Sequence, residues 1–200
     1  MDDVEELASL KEVATIASGN AATALSKLMN QKVIVAVPSV TLVQVEKIIE
    51  EVGHGARVST TALVRMEGDL HGVLFFTLDP IDAKDVTTDI IDKQVSGSFA
   101  DINQEVLREM VNIIAGAAVT SMSTFLALQI TQSVPASATD MLGAVLDPFV
   151  AELGDTFDKV IIEQETFVIP AKGASLKFLA IIDPPSTATI LQKIAEKMQT

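Results

Sequence analysis

Leu10-Lys11-Glu12-Val13-Ala14-Thr15-Ile16, with Gly19 and Pro38 behind it, returns 97 residues later as Leu107-Arg108-Glu109-Met110-Val111-Asn112-Ile113, with Gly116 and Pro135 behind it. The same offset places Ala21 on Ala118, Thr23 on Thr120 and Ser26 on Ser123 without a gap. A gapless recurrence of this kind reads as a duplicated structural unit. The copies differ where chemistry would sit: the second carries Glu109 and Asn112 one helical turn apart, the first Glu12 and Thr15.

Outward from this segment, Leu7, Leu10, Val13, Ala17, Ala21, Leu25 and Leu28 recur at helical steps and predict a helix over about 4–30. Gly19 and Asn20 weaken its middle, so close helix packing is expected there as compensation. A strand is predicted at 33–37, ended by Pro38, and a second near 42–49; Gly53-His54-Gly55 reads as a turn. Residues 60–66 and 70–78 read as a hairpin across Glu67-Gly68-Asp69, followed by a helix over about 80–92. Val95-Ser96-Gly97-Ser98 is the expected link between halves.

The second half repeats the plan. A helix is predicted over about 101–128 with Asp101 as its cap, then a strand at 129–134 before Pro135. A helix from Ser137 to about Glu152, a hairpin of 158–169 and 174–182, and a helix at 186–198 complete it. Helix, strand, variable piece, hairpin and helix, twice over, is α+β with antiparallel sheet rather than alternating βαβ. The expectation is one pseudo-two-fold domain over 1–200, made of repeats about 1–97 and 98–200, its two long helices packed with the sheet.

Composition narrows the function classes. A net charge of −13 disfavours nucleic acid and anionic membrane, which need cationic patches. The chain has no cysteine, which excludes disulfides and thiolate metal sites. Its start, Met1-Asp2-Asp3-Val4-Glu5-Glu6, is acidic where a secretory signal would be basic and then apolar, so a cytoplasmic protein is expected. Met110 to Thr139 carries no charge, yet it holds Asn112, Thr120, Ser121, Gln129, Gln132 and Pro135 with helical apolar spacing; a buried core helix, not membrane insertion, is the reading.

No phosphate-binding glycine loop, nucleophile elbow or dinucleotide fingerprint is present. His54 and His71 stand alone, and no metal site is expected. Glu109 and Asn112, at i and i+3, project from one helix face, which Gly116 and Thr120 continue with small side chains. Leu107, Met110, Ile114 and Ala118 suit the opposite, core-facing side. A carboxylate can receive a cation, and an amide, both donor and acceptor, can hold a water in one orientation. Positioning of that kind is what phosphoryl hydrolysis requires.

The chain resembles the CheC/CheX/FliY family of chemotaxis phosphatases, CheC in particular, over nearly its full length. The family pattern is Asp or Ser, three residues, Glu, two residues, Asn, about twenty-two residues, Pro; Glu109, Asn112 and Pro135 fit it. Ala17-Ser18-Gly19-Asn20-Ala21-Ala22-Thr23-Ala24-Leu25-Ser26 is similar to the glycine-rich first helix of that family. The resemblance implies a CheC-like fold and hydrolysis of the aspartyl-phosphate on the response regulator CheY. Glu109 would accept the regulator's lysine, Asn112 would orient the attacking water, and Mg2+ would be supplied by the regulator, with no cofactor bound by this chain. Glu105 stands at the Asp/Ser position, where it alters helix capping or partner contact. In the first copy Glu12 and Pro38 remain while Ala8 and Thr15 depart, so that site is expected to be inactive. Binding to the receptor deamidase CheD is also implied, through a helix around Asp140. Two further readings stay open: a non-catalytic adaptor for phosphorylated CheY and/or CheD, and a flagellar-switch component, which would carry a further domain beyond Thr200.

Overall fold

The apolar stripe of the first copy forms α1 (Asp3–Met29), and that of the second forms α4 (Phe99–Leu126). The computed structural model describes residues 3–36, 38–53, 55–91 and 99–198. His54, Val37 and the expected link Val95–Ser98, with the boundary between repeats, lie outside the described residues. Asp101 falls inside α4 rather than at its start.

Both long helices end alike. Asn30 and Ala127, 97 residues apart, take left-handed backbone (φ 51° and 53°). The amides of Gln31 and Leu128 return to the carbonyls of Ser26 and Ser123 at 3.1 Å each, the bond that closes a Schellman cap. The hydroxyls of Ser26 and Ser123 donate to the carbonyls of Gln31 and Leu128. Asparagine tolerates this conformation; alanine pays for its Cβ. Ala127→Gly is therefore expected to raise unfolding free energy by about 1 kcal/mol, read from the urea midpoint at unchanged slope.

Among the described residues the strands form one antiparallel sheet of eight, in which each copy lends its short strands to the other copy's hairpin. β1 (Ile34–Val35) and β2 (Ser39–Gln44) pair with β7 (Lys159–Ile169). β5 (Ile130–Gln132) and β6 (Ala136–Met141) pair with β3 (Val58–Gly68). At the centre β4 (Gly72–Leu78) pairs with β8 (Ala174–Ile182), Phe76 opposite Phe178. The registers match between copies: Ile34 faces Val168 as Thr131 faces Glu67, and Ser39 faces Gln164 as Ala136 faces Leu63. The duplication thus survives in residue-level geometry.

Side chains alternate across the sheet. Phe76, Phe178 and Phe167 join the core beneath α1, α4, α3 (Pro80–Ile91) and α6 (Pro184–Met198). Phe75, Leu179 and Ile181 join a second core on the other face, beneath α2 (Ile48–Val52) and α5 (Leu142–Gly154). Gln104–Leu126 within α4 is long and apolar enough to cross a membrane by composition. In this fold its apolar stripe, including Leu107, Val111, Ile114 and Ala118, is spent against the core.

Three expectations are corrected. The strand expected near 42–49 is β2 at 39–44, followed by a turn of 3-10 helix (Val45–Lys47) and α2. Val45, Ile48, Ile49 and Val52 lie at helical spacing, and that period prevails over β-propensity because it buries Val45 and Ile48 in the second core. The helix expected at 137–152 is β6 followed by α5, which begins only at Leu142, where Leu142 and Leu146 start a buried stripe. Gly19 is not a packing site: a Cβ built on it meets nothing within 4 Å.

Candidate functional site

Glu109 and Asn112 stand exposed on the solvent side of α4, with Glu105 one turn before them and Gly116 and Thr120 beyond. Leu107, Met110, Ile114 and Ala118, on the opposite stripe, are no more than 1% exposed. A helix clamped on its core side holds surface groups on rigid backbone. Glu105 lies well inside α4, so it cannot cap the helix, and its side chain is exposed.

Asn112 is held from the sheet. Gln132, the last residue of β5, donates from Nε2 to the Asn112 carbonyl oxygen at 3.0 Å and to Asn112 Oδ1 at 3.0 Å. A backbone carbonyl only accepts, so the atom facing it is the Gln132 amide nitrogen, and the Asn112 atom facing that nitrogen is its oxygen. Asn112 therefore keeps Nδ2, with its two hydrogens, on the side away from Gln132. Beyond Gln132, the Ser133 amide donates to the Arg65 carbonyl and the Arg65 amide to Ser133 Oγ, each at 3.0 Å. Val134 is then 88% exposed, and Pro135 is buried. Arg108 Nη1 donates to Ser137 Oγ at 3.3 Å and Gln104 Nε2 to Thr139 Oγ1 at 3.1 Å, tying α4 to β6.

The first copy offers less. Glu12 is exposed and Pro38 buried, as Glu109 and Pro135 are. Thr15 turns its hydroxyl back into the helix, donating to the Lys11 carbonyl at 2.7 Å. No side chain lies over Gly19, whereas Gln132 lies 3.6 Å from the position of a Cβ on Gly116. Between the two faces runs an open groove lined by Ile16, Asn20, Gly116, Ala117, Thr120 and Phe125.

Asp140 is exposed, but on β6 opposite Ser59 and not on a helix; its Oδ1 accepts from the Met141 amide at 2.7 Å. His71 is exposed, and among the described residues no three His, Asp or Glu side chains converge to hold a metal. Gln132 is the site residue that sequence reasoning missed. Its signal was present: the 97-residue offset sets Gln132 on Val35, so the amide on the strand occurs in the same copy as the amide on the helix.

A duplicated helix-and-sheet unit with a carboxylate and an oriented amide on one exposed helix face defines the class. Residues 5–42 and 103–137, one segment in each copy, match the CheC-like family. The chain is 31% identical to the CheY-P phosphatase CheC of Bacillus subtilis over 163 residues, covering 79% of this chain and 78% of that one. The chain belongs to the CheC-like family. Its fold is that of the crystal structure of Thermotoga maritima FliY, with a TM-score of 0.75 at 22% identity over 96% of this chain and 97% of the other. The CheX in a complex with CheY, BeF3 and Mg2+ from Borrelia burgdorferi aligns at a TM-score of 0.57 and 15% identity over 86% of this chain and 96% of that one.

Proposed function

We propose that this chain is a phosphatase acting in the cytoplasm on the aspartyl-phosphate of the response regulator CheY, through the second copy alone. The observation that carries this reading is the exposed Glu109–Asn112 pair with the Asn112 amide turned outward by Gln132. Glu109 accepts the regulator's lysine and sets α4 against the phosphorylated site. Asn112, whose Oδ1 already accepts from Gln132, presents its outward Nδ2 beside the phosphoryl group and holds the attacking water there. The water oxygen, in line, bonds to phosphorus as the bond to the aspartyl oxygen breaks, leaving inorganic phosphate and a free carboxylate. The regulator would hold Mg2+, which would supply neutralisation of the developing charge; this chain contributes positioning. The relative named as a CheY-P phosphatase and the related CheX held on CheY support this substrate. Glu105 and Val134 form the rim of the docking face, and CheD is assigned to the β6 edge at Asp140.

The test is decay of phosphorylated CheY with Mg2+ and substoichiometric chain. Faster first-order decay with many turnovers per chain is expected. Unchanged decay with retained binding would give the adaptor reading, which the loss of the first site favours. Glu109→Ala is expected to weaken both binding and turnover, and affinity is expected to fall as salt rises, because an interfacial ion pair is screened. An affinity equal at low and high salt would count against Glu109 as the docking charge.

A further inference from the structure

We infer that Gln132 is a positioning residue for Asn112, and that the first copy is silent because it lacks this strand amide as well as the helix amide. The inference rests on the phosphatase reading for its kinetic consequence only. The geometry stands by itself: one Gln132 nitrogen bridges the backbone carbonyl and the side-chain oxygen of Asn112. Turning the Asn112 carboxamide over would set its NH2 against the Gln132 NH2, so the bridge selects one of two orientations.

The two hydrogen bonds of Gln132 Nε2 favour folding, but the other amide atom of Gln132 works against them. Its Oε1 is buried and accepts no hydrogen bond, and an unpaired buried acceptor costs folding free energy. The neighbouring helix makes room for it, since Gly116 lies beneath the amide. The first copy keeps that room and fills it differently. Gly19 remains, with open space above it, while the strand position is Val35. Val35 faces Phe167 on β7 as Gln132 faces Met66 on β3, so the two positions are equivalent in register. Besides Ala8 at the place of Glu105, the first copy thus departs from the second at both amide positions, Thr15 and Val35.

Gln132→Met keeps the length of the side chain and removes the bridge. It is expected to lower turnover roughly tenfold or more, since misplacing a reacting group by a fraction of its own size has effects of that order. Binding of the BeF3-loaded regulator and thermal stability are expected to stay unchanged or rise. Wild-type turnover in Gln132→Met would overturn the inference, as would a loss of turnover that tracks a loss of stability. Side-chain amide relaxation of Asn112 by NMR gives a readout independent of activity: rigid in wild type, mobile in Gln132→Met. Equal mobility in both would also overturn it, whereas a rigid-to-mobile change in a chain without phosphatase activity would refute only the phosphatase reading. The constructive test uses Asn112→Ala as background. Thr15→Asn with Val35→Gln is expected to restore accelerated decay at the first copy, and Thr15→Asn alone to restore much less; equal activity of the two would show that the strand amide does nothing.

Discussion

Asn112→Ala is expected to leave phosphorylated CheY decaying at close to its own rate, with turnover down roughly a hundredfold or more, the usual consequence of deleting an oriented dipole aimed at developing charge. The size of the effect follows from how little else the site offers. In the proposed reading Glu109 serves docking, and no other amide shares the exposed face of α4 with Asn112 between Glu105 and Thr120. Asn112 is exposed and its side chain serves no core contact, so the variant should unfold at the wild-type urea midpoint. Affinity for the BeF3-loaded regulator should change far less than turnover, because the lost interaction is made with the water in the transition state. Thr15→Ala is the matched control. Its hydroxyl already donates to the Lys11 carbonyl, so removing it costs the partner nothing and decay should remain at the wild-type rate. Half or more of wild-type turnover in Asn112→Ala would place the chemistry elsewhere.

Much of this was legible in the sequence. The 97-residue repeat fixed which helices correspond, and the spacing of Glu109, Asn112 and Pro135 marked the face. Two things were hidden for physical reasons. Period is ambiguous in short segments: 45–52 became helix because that buries Val45 and Ile48, and 136–141, largely exposed, became strand because its backbone pairs with β3. Gln132 looked like one polar residue in a neutral stretch; its role depends on β5 pairing with β3 beside α4, a contact that no local pattern encodes. Gly19 was misjudged in the same way. A glycine in a helix suggested close packing, but the space it opens is empty in the first copy and taken by an amide over Gly116 in the second.

The sheet beneath the two helices predicts the other large effect, on stability. Glu163 and Glu165 alternate along β7 toward the helix side, in line with Ile161 and Phe167, and each is only 5% exposed. Burial pushes the Glu165 carboxyl up to about 7, the Ser18 hydroxyl and Glu163 only partly offsetting it. Glu163 is driven well above the ordinary range, first by burial and then by the neighbouring Glu165. The native state therefore holds protons that the unfolded chain releases above about pH 4.5, so stability falls as pH rises from there through about 7 and beyond. A carboxyl displaced from 4.5 to about 7 corresponds to roughly 3 kcal/mol, which is the loss expected between pH 5 and pH 8. Asp79, Glu152 and Glu196 have lowered values from hydrogen bonds and ion pairs, and their contribution is lost only in acid, on the other side of that window. Glu163→Gln with Glu165→Gln should flatten the urea-measured profile between pH 5 and pH 8; an unchanged slope would refute the assignment. The matching positions under α4 are Ala62 and Val64, fully buried and uncharged, with Ala115 where α1 has Ser18. The helix that carries Asn112 thus rests on a floor that does not titrate, while α1 rests on one that does. Turnover, corrected for the regulator's own decay, should then hold steady over the pH range in which global stability declines, until unfolding itself removes the enzyme.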